Sequence, residues 1–193
     1  MKPLVAICVG HSRRIHDSVE GGAVSVDGTN EWTFNSELAN RIRVALALEH
    51  VSCVVVDKYE GDGYGAAQRW LAKFLKDRGA TLAIELHFNS ADDPAAHGHE
   101  WLCWVGSSRG LRLAHWLDTA MRETFPNMKA RGVKPLSGGD RGAEFLRGTH
   151  CPACIAEPLF GSSPSDWKVA TEQKQEIAEA ISAGIVKYLA SEA

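Results

Sequence analysis

The chain reads as a single α/β domain over residues 1–193, built on a twisted, mostly parallel (mixed) central sheet of about six strands with helices on both faces. Three observations predict this. Short apolar or β-branched runs alternate with longer amphipathic segments from end to end, the pattern of strand–helix–strand units. No Ser/Pro-rich linker, low-complexity tract or internal repeat divides the chain. Three of the apolar runs also deliver a His or Glu to their ends, just before a polar loop, where α/β enzymes place their chemistry.

The first strand is Leu4 to Val9, running into Gly10-His11-Ser12. A loop dense in Gly, Ser and Asp follows, from Ser12 to Asn30. Glu31 to His50 then carries Leu38, Ile42, Ala45, Leu46 and Leu48 at near-helical spacing, with Asn30 placed to cap its start. Ser52 to Asp57 is a strand. Ala66 to Arg78 repeats the helical pattern through Trp70, Leu71, Phe74 and Leu75 and stops at Gly79, a residue suited to the position just past a helix end. Thr81 to His87 and Glu100 to Trp104 are strands, and in the second Trp101 and Trp104 face opposite sides, one toward the core and one toward a cleft. Ser107 to Thr124 is helical. A short strand is predicted near Ala143 to Leu146 and another at Ala153 to Glu157. A last helix spans Asp166 to Ala190, with Ile177, Ile181, Gly184, Ile185 and Tyr188 as the stripe that faces the sheet.

A chain of 193 residues is long enough to bury a sizeable core. Its formal charge of −3 offers nothing to hold nucleic acid or an anionic membrane. No run approaches the roughly 18 apolar residues of a membrane span. The N-terminus has one Lys and then an apolar stretch that leads directly into Gly10-His11, so it reads as a first strand and not as an export signal. Synthesis in the cytoplasm is the expectation. The five cysteines, an odd number scattered mostly through apolar runs, suit buried thiols better than a disulfide framework. Cys151-Pro-Ala-Cys154 has metal-site spacing, but on a strand its two thiols face opposite sides and cannot share an ion.

The chemistry-bearing residues converge on a zinc hydrolase pattern. A catalytic zinc takes three protein ligands and leaves a position open. His11 and His87 stand at strand ends, and Glu31, in the first turn of the helix after the first loop, returns to the same edge where the helix dipole favours an anion. Hydrolysis also needs a carboxylate to move protons, and Glu157 ends a buried strand ahead of Pro158, which biases it toward extended backbone. Taken singly each has a structural reading: a satisfied strand-end His, a dipole-complementing Glu31, a Glu157 in a buried ion pair. Their joint placement, together with the family resemblance that follows, is the signal. Glu85 shares the strand face of His87 and is read as an orienting partner or an alternative base. His97 and His99 have H-x-H spacing in a polar loop, whereas His16, His50, His115 and His150 have no partner that spacing identifies.

These motifs resemble the zinc-dependent N-acetylmuramoyl-L-alanine amidases of the Amidase_3 type, found in bacterial cell-wall hydrolases and phage endolysins. The resemblance runs through nearly the whole chain: Val9-Gly10-His11, Glu31-Trp-Thr-Phe-Asn35, Ile84-Glu-Leu-His87-Phe-Asn89, Gly98-His-Glu100, and Pro152-Ala-Cys-Ile-Ala-Glu157-Pro-Leu-Phe160-Gly161. It implies zinc on His11, Glu31 and His87, with Glu157 as general base and then acid. The implied substrate is peptidoglycan, cut at the amide between N-acetylmuramic acid and the L-alanine of the stem peptide. The chain departs from the family pattern at Ser12-Arg13-Arg14, where Gly-Gly is usual, and at Glu85, where a small polar residue is common. A bare catalytic domain with no separate cell-wall-binding domain, made in the cytoplasm and acting on the wall after release, fits a phage or prophage endolysin. Two other functions compete. Gly10-His11-Ser12-Arg13-Arg14 would suit a histidine-phosphatase-like phosphohydrolase using a phosphohistidine, and a non-catalytic wall-binding domain would need none of this chemistry.

Overall fold

The structure, a computed structural model, describes residues 3–93 and 95–192; the domain's outermost residues 1, 2 and 193, and Pro94, lie outside these bounds. A six-stranded sheet forms the middle layer in the order β4-β1-β5-β8-β6-β7. Its strands are β1 (Leu4–Val9), β4 (Ser52–Val56), β5 (Leu82–Leu86), β6 (His99–Trp104), β7 (Ala130–Leu136) and β8 (Ala153–Glu157). All neighbours run parallel except β6 and β8. A two-stranded hairpin, β2 (Arg14–Ile15) with β3 (Ser18–Val19), stands apart in the first loop.

From β1 the chain crosses to β4 on one side through helix α1 (Glu31–Leu48), then returns past β1 to β5 through α2 (Tyr64–Asp77). The strand order therefore reverses between β1 and β5, and a crevice opens at their carboxyl ends. His11 and His87 leave the sheet at this point. Gly10 N–H still donates to Leu86 O at 2.8 Å, which ties the two strand ends together.

The two sheet faces are filled differently. On one side Val5, Ile7, Val9, Leu82, Ile84, Leu86, Trp101 and Cys103 form a large apolar cluster with α1, α3 (Ser108–Thr124), α5 (Pro164–Glu172) and α6 (Lys174–Ser191). On the other, small residues such as Ala6, Cys8, Ala83 and Ala153 meet α2 and α4 (Ala143–Gly148). Strand alternation then puts Glu85, His87, Glu100 and Glu157 on this thinner side.

Most predicted elements form where expected, including the Asn30 cap, whose side chain accepts from Thr33 N–H at 2.8 Å. Three expectations are corrected. Ala143 to Leu146 is the start of helix α4, not a strand; its short apolar run is ambiguous in period, and Gly142 in the left-handed conformation turns the chain into a helix off the sheet. The sixth strand is instead β7, half-buried along most of its length at the sheet edge, where Gly132 and Pro135 hid it from the pattern. The last helix is two helices: Ser163 caps α5, and Gln173, with φ −130°, breaks the run before α6.

Helix α6 wedges between α1 and α3, and its stripe joins the same apolar cluster as β1 and β5. The approach is close because residue 184 is glycine. A methyl there would lie 2.9 Å from Leu117 Cα and 3.1 Å from Trp116 O, both backbone atoms. Overpacking of about 1–3 kcal/mol then outweighs the ~1 kcal/mol of helix propensity that alanine brings. Gly184→Ala is expected to lower the denaturant midpoint, and Gly184→Val to lower it further; a raised midpoint for the alanine variant would contradict this packing.

Candidate metal centre and active-site cleft

Glu31 is the anchor of the site. The loop before it folds onto the start of α1: Glu31 N–H donates to Ala23 O at 2.9 Å and Trp32 N–H to Gly21 O at 3.0 Å, so loop carbonyls satisfy the helix's first free donors. The carboxylate is buried, 2% exposed. Its Oε2 accepts from Ala23 N–H at 3.0 Å and its Oε1 from Phe88 N–H at 3.1 Å. The two oxygens also face the histidines, Oε1 lying 2.8 Å from His87 Nδ1 and Oε2 3.4 Å from His11 Nε2. Burial raises the Glu31 pKa, but the His87 hydrogen bond and both imidazoles more than compensate, leaving it below the ordinary carboxylate value.

The histidines are held by backbone geometry. His11 takes a left-handed conformation, φ 56°, a strained position that histidine tolerates better than most residues. Gly10 leaves the space for the neighbouring ring, since a Cβ there would lie 2.2 Å from His87 Cε1. Gly22, at φ 78°, closes the loop over the pair; a Cβ would come within 2.7 Å of both Glu31 Oε2 and His11 Cδ2. Burial pulls the His11 pKa down. For His87 burial acts the same way, but hydrogen bonds to Glu31 and Glu85 carry it well above the ordinary value.

One donor atom from each of His11, Glu31 and His87 lies within 4.8 Å of the others. Two imidazoles and one carboxylate are a donor set suited to zinc. All three line a cleft of about 820 Å³ that runs over the thin face of the sheet and also takes in Glu85, Arg141 and Glu157.

Glu157 and Glu100 face each other across the antiparallel β6–β8 pair. Glu100 accepts from Asn89 Nδ2 at 2.9 Å and pairs with Lys134 Nζ at 2.6 Å and with Arg131. Burial pushes its pKa up, but these two cations pull it below the ordinary value. Among the described residues no cation pairs with Glu157 in contact, and its Oε2 is buried without a partner. Burial pushes its carboxyl up to about 8; the largest opposing effect is the pull of His87, while the charges of Glu31 and Glu100 add to the rise. The two adjacent carboxylates are thus driven apart in proton affinity, Glu100 downward and Glu157 upward.

The structure therefore brings His11, Glu31, His87 and Glu157 into one cleft. His97-Gly-His99 forms no site: His99 starts β6, is fully buried, and its Nδ1 accepts from Trp101 Nε1 at 3.0 Å. Of the two tryptophans, Trp101 fills the core, and Trp104 packs with the cluster under α2 and α4 and not along the cleft. Cys154 and Cys151 join clusters on opposite faces, and all five cysteines are free. Arg13 and Arg14 pair with Glu20 and Glu60, and the Glu31 carboxylate beside His11 Nε2 would repel a phosphoryl group. Sequence reading missed Gly22, Tyr59, Gln68 and the Arg131–Lys134 pair. Only Gly21-Gly22, a double glycine in a loop, carried a local signal.

The family model for N-acetylmuramoyl-L-alanine amidases, Amidase_3, matches residues 5–187. Comparison with curated proteins gives no match. Among solved structures the chain is similar to the N-acetylmuramoyl-L-alanine amidase AmiC2 of Nostoc punctiforme, at 23% identity, with 98% of each chain covered and a TM-score of 0.81. It is likewise similar to an N-acetylmuramoyl-L-alanine amidase from Clostridium difficile 630, at 21% identity over 100% of this chain and 99% of that one, TM-score 0.82. The catalytic domain of the CD27L endolysin targeting Clostridia Difficile is 22% identical over 96% of this chain and 97% of that one, TM-score 0.79.

The bare Glu157 has a consequence for stability. Its folded pKa of about 8 stands above the ordinary 4.5, so between these pH values the folded state binds more protons than the unfolded state. Stability from this group is therefore lost as pH rises through that window. In zinc-stripped protein, Glu157→Gln is expected to melt at least about 2–4 °C above wild type at pH 8.5 and to converge with it near pH 4. Equal melting temperatures at pH 8.5 would refute the assignment.

Proposed function

The chain belongs to the Amidase_3 family of N-acetylmuramoyl-L-alanine amidases, and on that premise we propose that it cleaves peptidoglycan at the amide between N-acetylmuramic acid and L-alanine, using zinc held by His11, Glu31 and His87. The observation that carries this reading is the pairing, in one cleft, of a His/Glu/His donor set with a carboxylate that has lost its ordinary acidity. Zinc bound there would supply a Lewis acid that polarises the scissile carbonyl and acidifies water.

The chain's own residues do the rest. Glu157 takes a proton from the attacking water and returns it to the leaving nitrogen, a shuttle that works best with a pKa near the operating pH. Burial keeps the proton affinity of Glu157 high, and the charge of Glu100, held ionised by Arg131 and Lys134, adds to it. The Ala23 and Phe88 backbone N–H groups hold the Glu31 carboxylate in place, so the donor set is organised before substrate arrives.

The biological setting proposed is that of a phage or prophage endolysin, folded in the cytoplasm and acting on the wall after release. Five free cysteines, three of them fully buried or nearly so, suit folding in a reducing compartment, and the likeness to an endolysin catalytic domain is consistent with it.

Digestion of purified peptidoglycan is expected to release new L-alanine amino termini without new reducing sugars; new reducing ends would indicate a glycosidase. Exhaustive chelation should abolish the activity and zinc should restore it. Glu157→Gln should lower kcat by about 10²- to 10⁴-fold with zinc content unchanged, because only the proton shuttle is removed. Gly10→Ala should do the reverse, losing zinc while circular dichroism stays native, since its methyl occupies the space of the His87 ring. A fully active, zinc-loaded Gly10→Ala protein would refute this geometry.

A further inference from the structure

Glu85 is a buried carboxylate that the proposed reaction leaves without a task. It is 2% exposed and stands in the middle of the sheet, beside Cys8 of β1 and Ile155 of β8. A carboxylate in such surroundings needs partners. Among the described residues no Lys or Arg pairs with it. Tyr59 Oη donates to its Oε1 at 3.2 Å, Gln68 Nε2 adds a long contact at 3.5 Å, and its Oε2 lies 3.3 Å from His87 Nε2.

The His87 ring is thus caught between two carboxylates. Nδ1 lies 2.8 Å from Glu31 Oε1, within the donor set, and Nε2 points down to Glu85. Without a metal both ring nitrogens can donate to the facing carboxylates, but a bound metal takes the lone pair of one of them, and whichever nitrogen keeps its N–H cannot offer one. We propose that Glu85 is a positioning residue: by accepting from Nε2–H it fixes the His87 tautomer that turns the Nδ1 lone pair toward Glu31 and His11, with Tyr59 and Gln68 holding Glu85 in place. The inference rests on the metal-centre reading above. It extends that centre inward to the β4–α2 connection, which supplies Tyr59, and to α2, which supplies Gln68.

The test measures zinc affinity by chelator competition, together with the ¹⁵N resonances of the His87 ring in zinc-loaded protein. Wild type is compared with Glu85→Ala, Glu85→Gln and Tyr59→Phe, with folding checked by circular dichroism. The wild-type ring is expected to show a protonated Nε2 and a metal-bound Nδ1. Glu85→Ala should bind zinc about 10- to 100-fold more weakly and lose that signature. Glu85→Gln, close in shape and still able to accept from Nε2–H, should fold as wild type and lose less, and Tyr59→Phe less again. Unchanged affinity and ring resonances in folded Glu85→Gln and Glu85→Ala, or zinc on Nε2 in wild type, would overturn the inference and leave the metal centre standing. Wild-type protein that takes up no zinc would overturn both.

Discussion

The buried carboxylate of Glu31 is the interaction on which the site depends. It gathers two imidazoles, the Ala23 N–H from the first loop and the Phe88 N–H beyond β5, and it sits in the first turn of α1 where the helix dipole favours its charge. Three separate pieces of chain therefore meet on two oxygen atoms. Glycine at 10 and 22 is the steric condition for that meeting, because a side chain at either position would strike the residues being gathered.

The unequal filling of the two sheet faces makes the cleft. Large apolar residues and four helices close one side, and small residues under α2 and the short α4 leave the other side open at the carboxyl ends of β1, β5 and β8. The open side collects the carboxylates. Each is treated differently: Glu31 by imidazoles and backbone donors, Glu100 by two cations, Glu85 by a phenol and an amide, and Glu157 by nothing that satisfies its Oε2. An unsatisfied buried group costs stability, and Glu157 bears that cost at the wall of the cleft.

The site was more legible in the residues than parts of the fold were. His11, His87 and Glu157 could be read because parallel strands bring their carboxyl ends to one edge, so that strand-end residues become neighbours however far apart they lie in the chain. Glu31 was legible because a helix after a strand-end loop starts at that same edge. What escaped reading did so for local reasons. β7 carries Gly132 and Pro135 and is nowhere fully buried, so it shows no alternation; Ala143 to Leu146 is too short for its period to separate strand from helix; and the break at Gln173 lies between two segments that are both good helix formers.

The sequence by itself determined the α/β class and the order of most elements, because apolar periodicity is a local property written along the chain, and it named the candidate donors through strand-end placement together with the motifs of the family it resembles. Tertiary structure alone decided that Glu100 is clamped by Arg131 and Lys134 while Glu157 is bare, that His99 belongs to the core, and that Glu85 reaches Tyr59, Gln68 and His87 at once. The reason is physical. A side chain's charge state and partners depend on burial and on neighbours from other elements, and no spacing along the chain encodes those distances.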